Sequence, residues 1–197
     1  MSYLRVKICG ITRSEDALCA ESVGADAVGL NFVRGTKRAI SVAQAAAISS
    51  GLGPSIARVG VFRDASIEEI LEALHTVKLT AIQLHGSETD DFAARVAMHA
   101  PVIRAISHGM ALPAFDTLLI DNLEGGSGQT FDWNMLETTD LGGRRWLLAG
   151  GLTPQNVASA VKKLQPWGVD VSSGVESAPG IKDHAKISAF IAAARGS

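Results

Sequence analysis

The sequence alternates short apolar runs with stretches of helical character along almost its whole length, and this alternation strongly restricts how it can fold. Helical periodicity, with start signals at Ser14, Ser41, Ser66 and Thr153, fills most of the intervals. The eight candidate strands are Arg5–Cys9, Asp26–Phe32, Ile56–Phe62, Ala81–His85, Val102–Ile106, Thr117–Asp121, Trp146–Gly150 and Val169–Ser172. Strands that alternate with helices indicate parallel pairing.

Eight strand and helix units can close into a barrel or form an open doubly wound sheet, and periodicity alone separates these two folds poorly. The count of eight favours the barrel. The 197 residues fall just below the roughly 200-residue lower end of the barrel range, so the connections must be short. The predicted fold is therefore a compact α/β protein, a (β/α)8 barrel that forms a single domain over residues 1–197.

Two intervals depart from the regular pattern. The segment from Ser107 to Asp116 contains Gly109 and Pro113 and has room for only a turn or so of helix, so irregular structure is expected there. The run Gly125–Gly128 has the composition of a linker, but strand patterns resume on both sides within a few residues. This run is interpreted as a mobile loop after the sixth strand.

Composition narrows the class of partner to small molecules. The chain has 18 Lys and Arg residues against 20 Asp and Glu, so it lacks the positive field that holds nucleic acid or an anionic membrane. Arg5 and Lys7 interrupt the first apolar residues before a signal peptide or membrane span could form, which favours the cytoplasm. The two cysteines, Cys9 and Cys19, are too few for a disulfide framework, and they do not have the paired spacing of a zinc site. We expect a cytoplasmic monomer, with a homodimer as the alternative.

The active site of a closed parallel barrel is built by the loops that follow the C-terminal ends of its strands. Here those ends are polar or rich in glycine. The pair Gly150 and Gly151 and the run Ser172, Ser173 and Gly174 offer the backbone N–H and hydroxyl groups that a phosphate needs. Tight turns alone could also explain the glycines, but barrels often bind phosphate after strands seven and eight. We therefore expect a phosphorylated substrate.

Four further side chains are candidates for chemistry at the same end of the barrel. Cys9 ends strand one, although a lone cysteine in an apolar strand is usually a small buried hydrophobe. Asp121 ends strand six, where a carboxylate is costly to bury unless it is paired, hydrated or functional. Arg38 suits bidentate capture of a carboxylate, although loop arginines are often simply solvated. His85, after strand four, is a substrate contact or a hydrogen-bonded rim residue.

Lys7 alternates in phase with Cys9 and therefore points into the barrel, where an unpaired ammonium would be costly. It needs an anion. Strand eight lies beside strand one when the barrel closes, and Asp170 stands two residues before Ser172 on that strand. We predict a Lys7–Asp170 pair beneath the substrate.

The motifs resemble those of the phosphoribosylanthranilate isomerase family, and the resemblance extends through nearly the whole chain. The segments that carry it are Lys7–Thr12, Gly24–Gly29, Val59–Phe62, Ile82–Gly86, Gly125–Trp133, Ala149–Val157, Val169–Glu176 and Pro179–Asp183. Single glycine motifs are weak evidence, but this many in one order is specific. The loop Arg34–Lys37 departs from the family, which commonly has a proline and a serine there.

The resemblance implies a barrel that converts N-(5-phosphoribosyl)anthranilate to 1-(2-carboxyphenylamino)-1-deoxyribulose 5-phosphate in tryptophan biosynthesis, with no metal and no organic cofactor. It implies that Cys9 is the general base, Asp121 the general acid and Arg38 the group that holds the anthranilate carboxylate. Phosphate is assigned to the loops after strands seven and eight. A thiol with a free pKa of about 8.5 is mostly protonated at neutral pH, so a nearby group must favour the thiolate.

Two other functions are compatible with the same fold. One is a sugar-phosphate isomerase of histidine synthesis that acts on a related aminoaldose, but that family typically has Asp where Cys9 stands. The other is a binding protein that has kept the fold and lost activity. The joint presence of Cys9, Arg38 and Asp121 argues against a pure binding protein.

Overall fold

The predicted barrel is confirmed by the computed structural model, which describes residues 3–107, 112–121, 136 and 141–196. Eight parallel strands hydrogen-bond in chain order and close, with β8 beside β1. The strands are β1 Arg5–Ile8, β2 Ala27–Asn31, β3 Ala57–Phe62, β4 Ala81–Leu84, β5 Val102–Ser107, β6 Thr117–Asp121, β7 Arg145–Leu148 and β8 Gly168–Val171. Each lies within two residues of its expected bounds at either end.

Six helices in the described part of the chain cover the outside of the barrel. They are α1 Ser14–Ser22, α2 Val42–Ser50, α3 Ile67–Val77, α4 Asp90–Ala97, α5 Val157–Leu164 and α6 His184–Arg195. Ser41 and Ser66 form capping boxes with Gln44 and Glu69, so these two predicted starts mark the helix N-termini. None of the described helices is both long and apolar enough to span a bilayer.

The start predicted for the helix after strand seven is wrong by about one turn. The helix begins at Val157 instead of Thr153. The Asn156 side chain accepts a hydrogen bond from the Thr153 backbone N–H at 2.8 Å and donates to the Gly151 carbonyl at 3.0 Å. These bonds hold the segment as a turn that joins the strand-seven loop to α5.

The irregular fifth unit agrees with expectation where it is described, because residues 112–116 contain neither helix nor strand. The predicted loop at Gly125–Gly128 lies outside the described residues. After β8 the chain forms a short 3₁₀ turn, Ser173–Val175, and a small antiparallel hairpin that the sequence pattern did not predict. Its strands are β9 Glu176–Ala178 and β10 Ile181–Lys182.

Alternation along the strands divides the core into an inner and an outer layer. In β1, Val6 and Ile8 are fully buried in the apolar layer between barrel and helices. A smaller apolar cluster fills the barrel interior, with Val59, Ile103 and Leu119 among its members. The polar ends of the strands lie above this interior packing and line a cavity in which a ligand can bind.

Candidate active site

A cavity of about 260 Å³ opens at the C-terminal ends of the strands, where the predicted active site lies. It brings together most of the residues singled out from the sequence, which come from six different strands and loops. Those that line it are Cys9, Arg38, His85, Asp121, Gly150, Gly151, Asp170, Ser172 and Ser173. Lys7 and Gly174 lie outside this lining. Lys7 pairs with Asp170 beneath the cavity, and Gly174 packs against Leu152.

A larger cavity of about 800 Å³ lies beside the first, between the loops after β2 and β3. The two share Val33, Thr36 and Arg63 in their walls. The larger one contains none of the predicted acid, base or phosphate residues. We therefore assign the chemistry to the smaller cavity at the centre of the barrel mouth.

Cys9 is placed at the barrel mouth by its backbone and by two glycines. Its N–H donates to the Val171 carbonyl at 2.8 Å, which extends the β1–β8 pairing to the end of strand one. A Cβ atom on Gly29 would lie 2.7 Å from Cys9 Sγ, so only glycine leaves room for the thiol there. Gly10 has φ +71°, and a Cβ on it would lie 2.5 Å from Cδ of Arg38. Both glycines therefore shape the site.

Lys7 and Asp170 form the predicted ion pair in the floor beneath the cavity. They are direct partners in the register of β1 and β8, and Lys7 Nζ donates to Asp170 Oδ1 at 2.8 Å. The Lys7 residue is only 1% exposed. Burial disfavours its ammonium, but Asp170 and Cys9 together hold the pKa of Lys7 above its ordinary value. Lys7 is therefore a permanent cation below the thiol.

Burial raises the pKa of the Cys9 thiol, and this effect exceeds the opposing influence of the nearby cations Lys7 and Lys182. Asp170 adds to the increase in pKa. The resting group is therefore a thiol at neutral pH. Lys7 and Lys182 favour the thiolate, as expected of a group near Cys9, but they only reduce the upward shift of the Cys9 pKa and do not reverse it.

On the opposite side of the cavity, His85 stands between Gln83 and Asp121. Gln83 Nε2 lies 3.0 Å from His85 Nδ1, and His85 Nε2 lies 3.5 Å from Asp121 Oδ2. Burial is the main reason that the pKa of His85 is lowered, with Arg63 and Lys7 acting in the same direction. A neutral imidazole therefore faces the Asp121 carboxyl.

Arg38 reaches the cavity from the loop after β2, and its guanidinium is bound by a carboxylate of the chain itself. Nε and Nη2 donate to the two carboxylate oxygens of Glu176 at 2.7 and 2.8 Å. The hydrogen bond to Glu176 is the largest cause of the raised pKa of Arg38. This pair is not predictable from the sequence, because the partners are 138 residues apart and a loop glutamate resembles a solvated charge.

The loop that carries Arg38 keeps a defined turn despite its departure from the usual family sequence. Gly35 has φ +78°, a conformation that glycine tolerates at no steric cost. Thr36 Oγ1 donates to the Val33 carbonyl at 3.0 Å and accepts from Asn31 Nδ2 at 3.3 Å. Through these two hydrogen bonds Thr36 stabilises the turn of this loop.

The loops after β7 and β8 have the backbone shape expected of an anion site. Gly150 and Gly151 have φ values of +83° and +68°, and both line the cavity beside Ser172 and Ser173. A Cβ on Gly174 would overlap the carbonyl oxygen of Leu152, so this glycine lets the two loops pack together. At this edge of the cavity Ser173 is exposed, and the Ser172 hydroxyl is buried with no hydrogen-bond partner among the described residues, so both serines can serve an anion.

Among residues 3–107, 112–121, 136 and 141–196, no three His, Cys, Asp or Glu side chains cluster in a way that could hold a metal ion. Both cysteines are free thiols. The polar side chains that line the cavity include carboxylic acids, a thiol, an imidazole and two guanidinium groups, those of Arg38 and Arg63. They can move protons and bind anions.

The closed barrel and the polar cavity at its C-terminal end define a (β/α)8-barrel enzyme. The family model for N-(5'-phosphoribosyl)anthranilate (PRA) isomerase matches residues 6–193. The chain belongs to this family. The isomerase of Pseudomonas fluorescens strain Pf0-1 is 44% identical over 208 aligned positions, which cover 99% of this chain and all of that relative. The resemblance seen in the sequence is confirmed.

Solved structures of the same family share the fold. A phosphoribosylanthranilate isomerase in complex with reduced 1-(o-carboxyphenylamino)-1-deoxyribulose 5-phosphate is 40% identical, with a TM-score of 0.89 over 99% of this chain and all of that one. Monomers generated from the dimeric isomerase of Thermotoga maritima show the same identity, coverage and TM-score. Dimers therefore occur among the relatives.

The Lys7–Asp170 pair offers a test of how the floor tunes Cys9. Replacing Lys7 by Met and Asp170 by Asn together removes both buried charges without leaving one unpaired. Lys7 has the larger effect on the thiol, so its loss should raise the pKa of Cys9 further and leave less thiolate at any pH below that pKa. Alkylation of Cys9 by iodoacetamide at pH 8 should slow by about 3- to 10-fold.

The measurement is made in a Cys19→Ala background, so that Cys9 is the sole thiol. The rate is followed against pH, because the midpoint of that curve does not depend on access to the sulfur. A midpoint that stays in place or moves to lower pH would show that the Lys7–Asp170 pair, taken together, does not favour the thiolate.

Proposed function

We propose that the chain catalyses the Amadori rearrangement of N-(5-phosphoribosyl)anthranilate to 1-(2-carboxyphenylamino)-1-deoxyribulose 5-phosphate, a step of tryptophan biosynthesis. One observation carries the proposal: Cys9 and Asp121 line a single cavity that also contains a guanidinium and two glycine-rich loops. The membership in the PRA isomerase family and the relative bound to a reduced product support it.

The acid and the base act in sequence on two atoms of the sugar. Asp121 gives a proton to the furanose ring oxygen as the bond from C1 to that oxygen breaks, and the anthranilate nitrogen becomes part of an imine. The Cys9 thiolate then removes the proton on C2. The electron pair of the C2–H bond forms the C1=C2 double bond of an enolamine. The enol hydroxyl then loses its proton as C1 gains one, which yields the ketose, and a proton that passes from Cys9 to Asp121 through solvent restores both groups. Such proton transfers contribute about 10²–10⁴ each in rate.

Two anionic ends of the substrate are held by two different parts of the mouth. The phosphate is assigned to Gly150 and Gly151 after β7 and to Ser172, Ser173 and Gly174 after β8. The anthranilate carboxylate is assigned to Arg38. His85 is assigned to the wall between them, where its neutral ring contacts the substrate and orients Asp121. Holding both ends fixes C1 and C2 between acid and base.

The direct test is turnover. Purified protein is mixed with freshly prepared phosphoribosylanthranilate, and the loss of substrate fluorescence is followed. The aminoaldose of histidine synthesis serves as a second substrate. Rapid loss with the anthranilate compound alone is expected. Binding without turnover would instead support the binding protein, and turnover of the aminoaldose alone would support the histidine-pathway enzyme.

The phosphate assignment predicts the effect of an added negative charge. Ser173→Asp should raise KM for phosphoribosylanthranilate at least tenfold, because a carboxylate would repel the phosphate and take up the backbone donors that hold it. Ser177→Asp is the matched control, since Ser177 is exposed in β9 and does not line the cavity. An unchanged KM in Ser173→Asp would place the phosphate elsewhere.

The chemistry of Cys9 indicates the compartment in which the enzyme works. Cys9 can act as a base only as an unoxidised thiol, so we propose a reducing compartment, the cytoplasm. We propose that residues 1–197 form one barrel domain and that this domain suffices for activity. We propose a monomer as the active unit, and sedimentation at the assay concentration tests this.

A further inference from the structure

Arg38 lines the cavity, and one edge of its guanidinium is bound by the chain itself. Glu176 occupies the edge formed by Nε and Nη2. Among the described residues no further acceptor contacts the guanidinium. A guanidinium has five N–H donors in a planar fork, so the end formed by Nη1 and Nη2 can still hold a second carboxylate through two hydrogen bonds. Arg38 lines the cavity, whereas Glu176 stands outside its lining.

Glu176 is held in place by groups other than Arg38. Its Oε1 accepts from Lys182 Nζ at 3.0 Å and from the Gly180 backbone N–H at 3.2 Å. The Glu176 side chain is 6% exposed and that of Lys182 is completely buried. Burial disfavours the charge on Glu176, yet Arg38 and Lys182 hold its pKa below the ordinary value. The carboxylate is therefore a fixed anion to which the guanidinium adapts.

The β9–β10 hairpin also contacts the parts of the mouth that carry Arg38 and the phosphate loop. Lys182 Nζ donates to the Ser172 carbonyl at 3.0 Å. Gly180 has φ +83°, and a Cβ there would lie 3.0 Å from the Lys37 carbonyl, so the hairpin packs closely on the Arg38 loop. Thr12 Oγ1 donates to the Gly180 carbonyl. These contacts fix Glu176 relative to both anion sites.

We propose that Glu176, held by Lys182, is a positioning residue that aims the outer edge of Arg38 at the aromatic carboxylate of the substrate and thereby sets specificity for an ortho-carboxylated amine. This inference rests on the proposed function. Glu176 takes no part in proton transfer. Its contribution is directional, because a bidentate contact between Arg38 and a carboxylate requires the guanidinium plane and the carboxylate plane to coincide.

The test compares two stable ligands that differ only in that carboxylate. One is reduced 1-(2-carboxyphenylamino)-1-deoxyribulose 5-phosphate, and the other is its counterpart made from aniline. Dissociation constants are measured by calorimetry on the complete chain. Glu176→Gln keeps the shape of the side chain but loses its charge and one arm of the fork. Its affinity for the carboxylated ligand should fall by about 10- to 100-fold, with less than about a threefold change for the aniline ligand.

The matched control is Glu69→Gln, which removes a glutamate that also pairs with an arginine at the barrel mouth. Glu69 Oε1 accepts from Arg34 Nη2 at 2.7 Å, but both side chains are far more exposed. Both affinities should stay as in the unmodified chain. If Glu176→Gln does not fold, Glu176→Asp keeps the charge and withdraws it by one methylene. It should show a smaller loss, confined to the carboxylated ligand.

Three outcomes would overturn the proposal. Equal losses on both ligands would show that Glu176 only maintains the fold, and no loss would show that Arg38 does not need it. Tighter binding of the carboxylated ligand would show that Glu176 competes with the substrate for Arg38. Arg38→Ala separates this inference from the proposed function. If Arg38→Ala lowers the affinity for both ligands equally, or for neither, the assignment of Arg38 is wrong. If Arg38→Ala lowers only the affinity for the carboxylated ligand and Glu176→Gln does not, only the role of Glu176 is wrong.

Discussion

Cys9→Ser is expected to lower kcat by about 10² or more while substrate binding stays near normal. A serine hydroxyl is far harder to ionise than a thiol, so the charge of Lys7 below it cannot generate a useful base. Asp121, Arg38 and the two glycine-rich loops remain in place. The loss should therefore appear in kcat, with KM and the affinity for the reduced product almost unchanged.

The pH dependence supplies a second readout for Cys9. Because the pKa of the thiol is raised, the active thiolate is the minor form at neutral pH. In the unmodified enzyme kcat should therefore rise with pH through the neutral range, as the thiolate fraction increases. The serine variant should lack this rise.

Cys19→Ser is the matched control for the cysteine replacement. Cys19 lies in α1, packs against the outer core and does not line the cavity. Its replacement should leave kcat and the pH profile unchanged. A Cys9→Ser enzyme with kcat within a few-fold of the parent would show that another group is the base.

The strands and the charged pair in the barrel floor could be predicted because they depend on local periodicity. An alternation of two residues places Lys7 on the inner face of β1, and barrel closure alone then brings β8 to its side. The wrong helix start at Thr153 has a different origin. The polar side chain of Asn156 satisfies backbone groups of the preceding turn, and such local competition is hard to read from residue type.

The anchoring of Arg38 could not be predicted, because it depends on distant segments that meet only after the barrel closes. Glu176 and Lys182 follow β8 in a short hairpin, and in the sequence they resemble ordinary surface charges. In the fold they are buried beside the loop after β2. Gly29 is a similar case, since its lack of a side chain matters only because Cys9 Sγ lies against it.

Asp121→Asn should fail in a different way from Cys9→Ser. The amide occupies nearly the same space beside His85 but has no carboxylic proton to give to the ring oxygen. His85 cannot replace it as the acid, because burial lowers the pKa of the imidazole and keeps it neutral. We expect kcat to fall by about 10² or more, with near-normal affinity for the reduced product, in which the ring is already open.

The isotope effect distinguishes the two steps. A substrate deuterated at C2 reports on the proton that Cys9 removes. In Asp121→Asn ring opening should become rate-limiting, so the isotope effect on kcat should be suppressed. In Cys9→Ser the removal of the C2 proton should limit the rate, and the isotope effect should be fully expressed. If Asp121→Asn keeps both its rate and its isotope effect while binding stays intact, the acid is another group. If instead the two variants show the reverse pattern, Asp121 removes the C2 proton and Cys9 opens the ring. Weakening the group that removes the C2 proton makes that step rate-limiting, and only then is the isotope effect fully expressed.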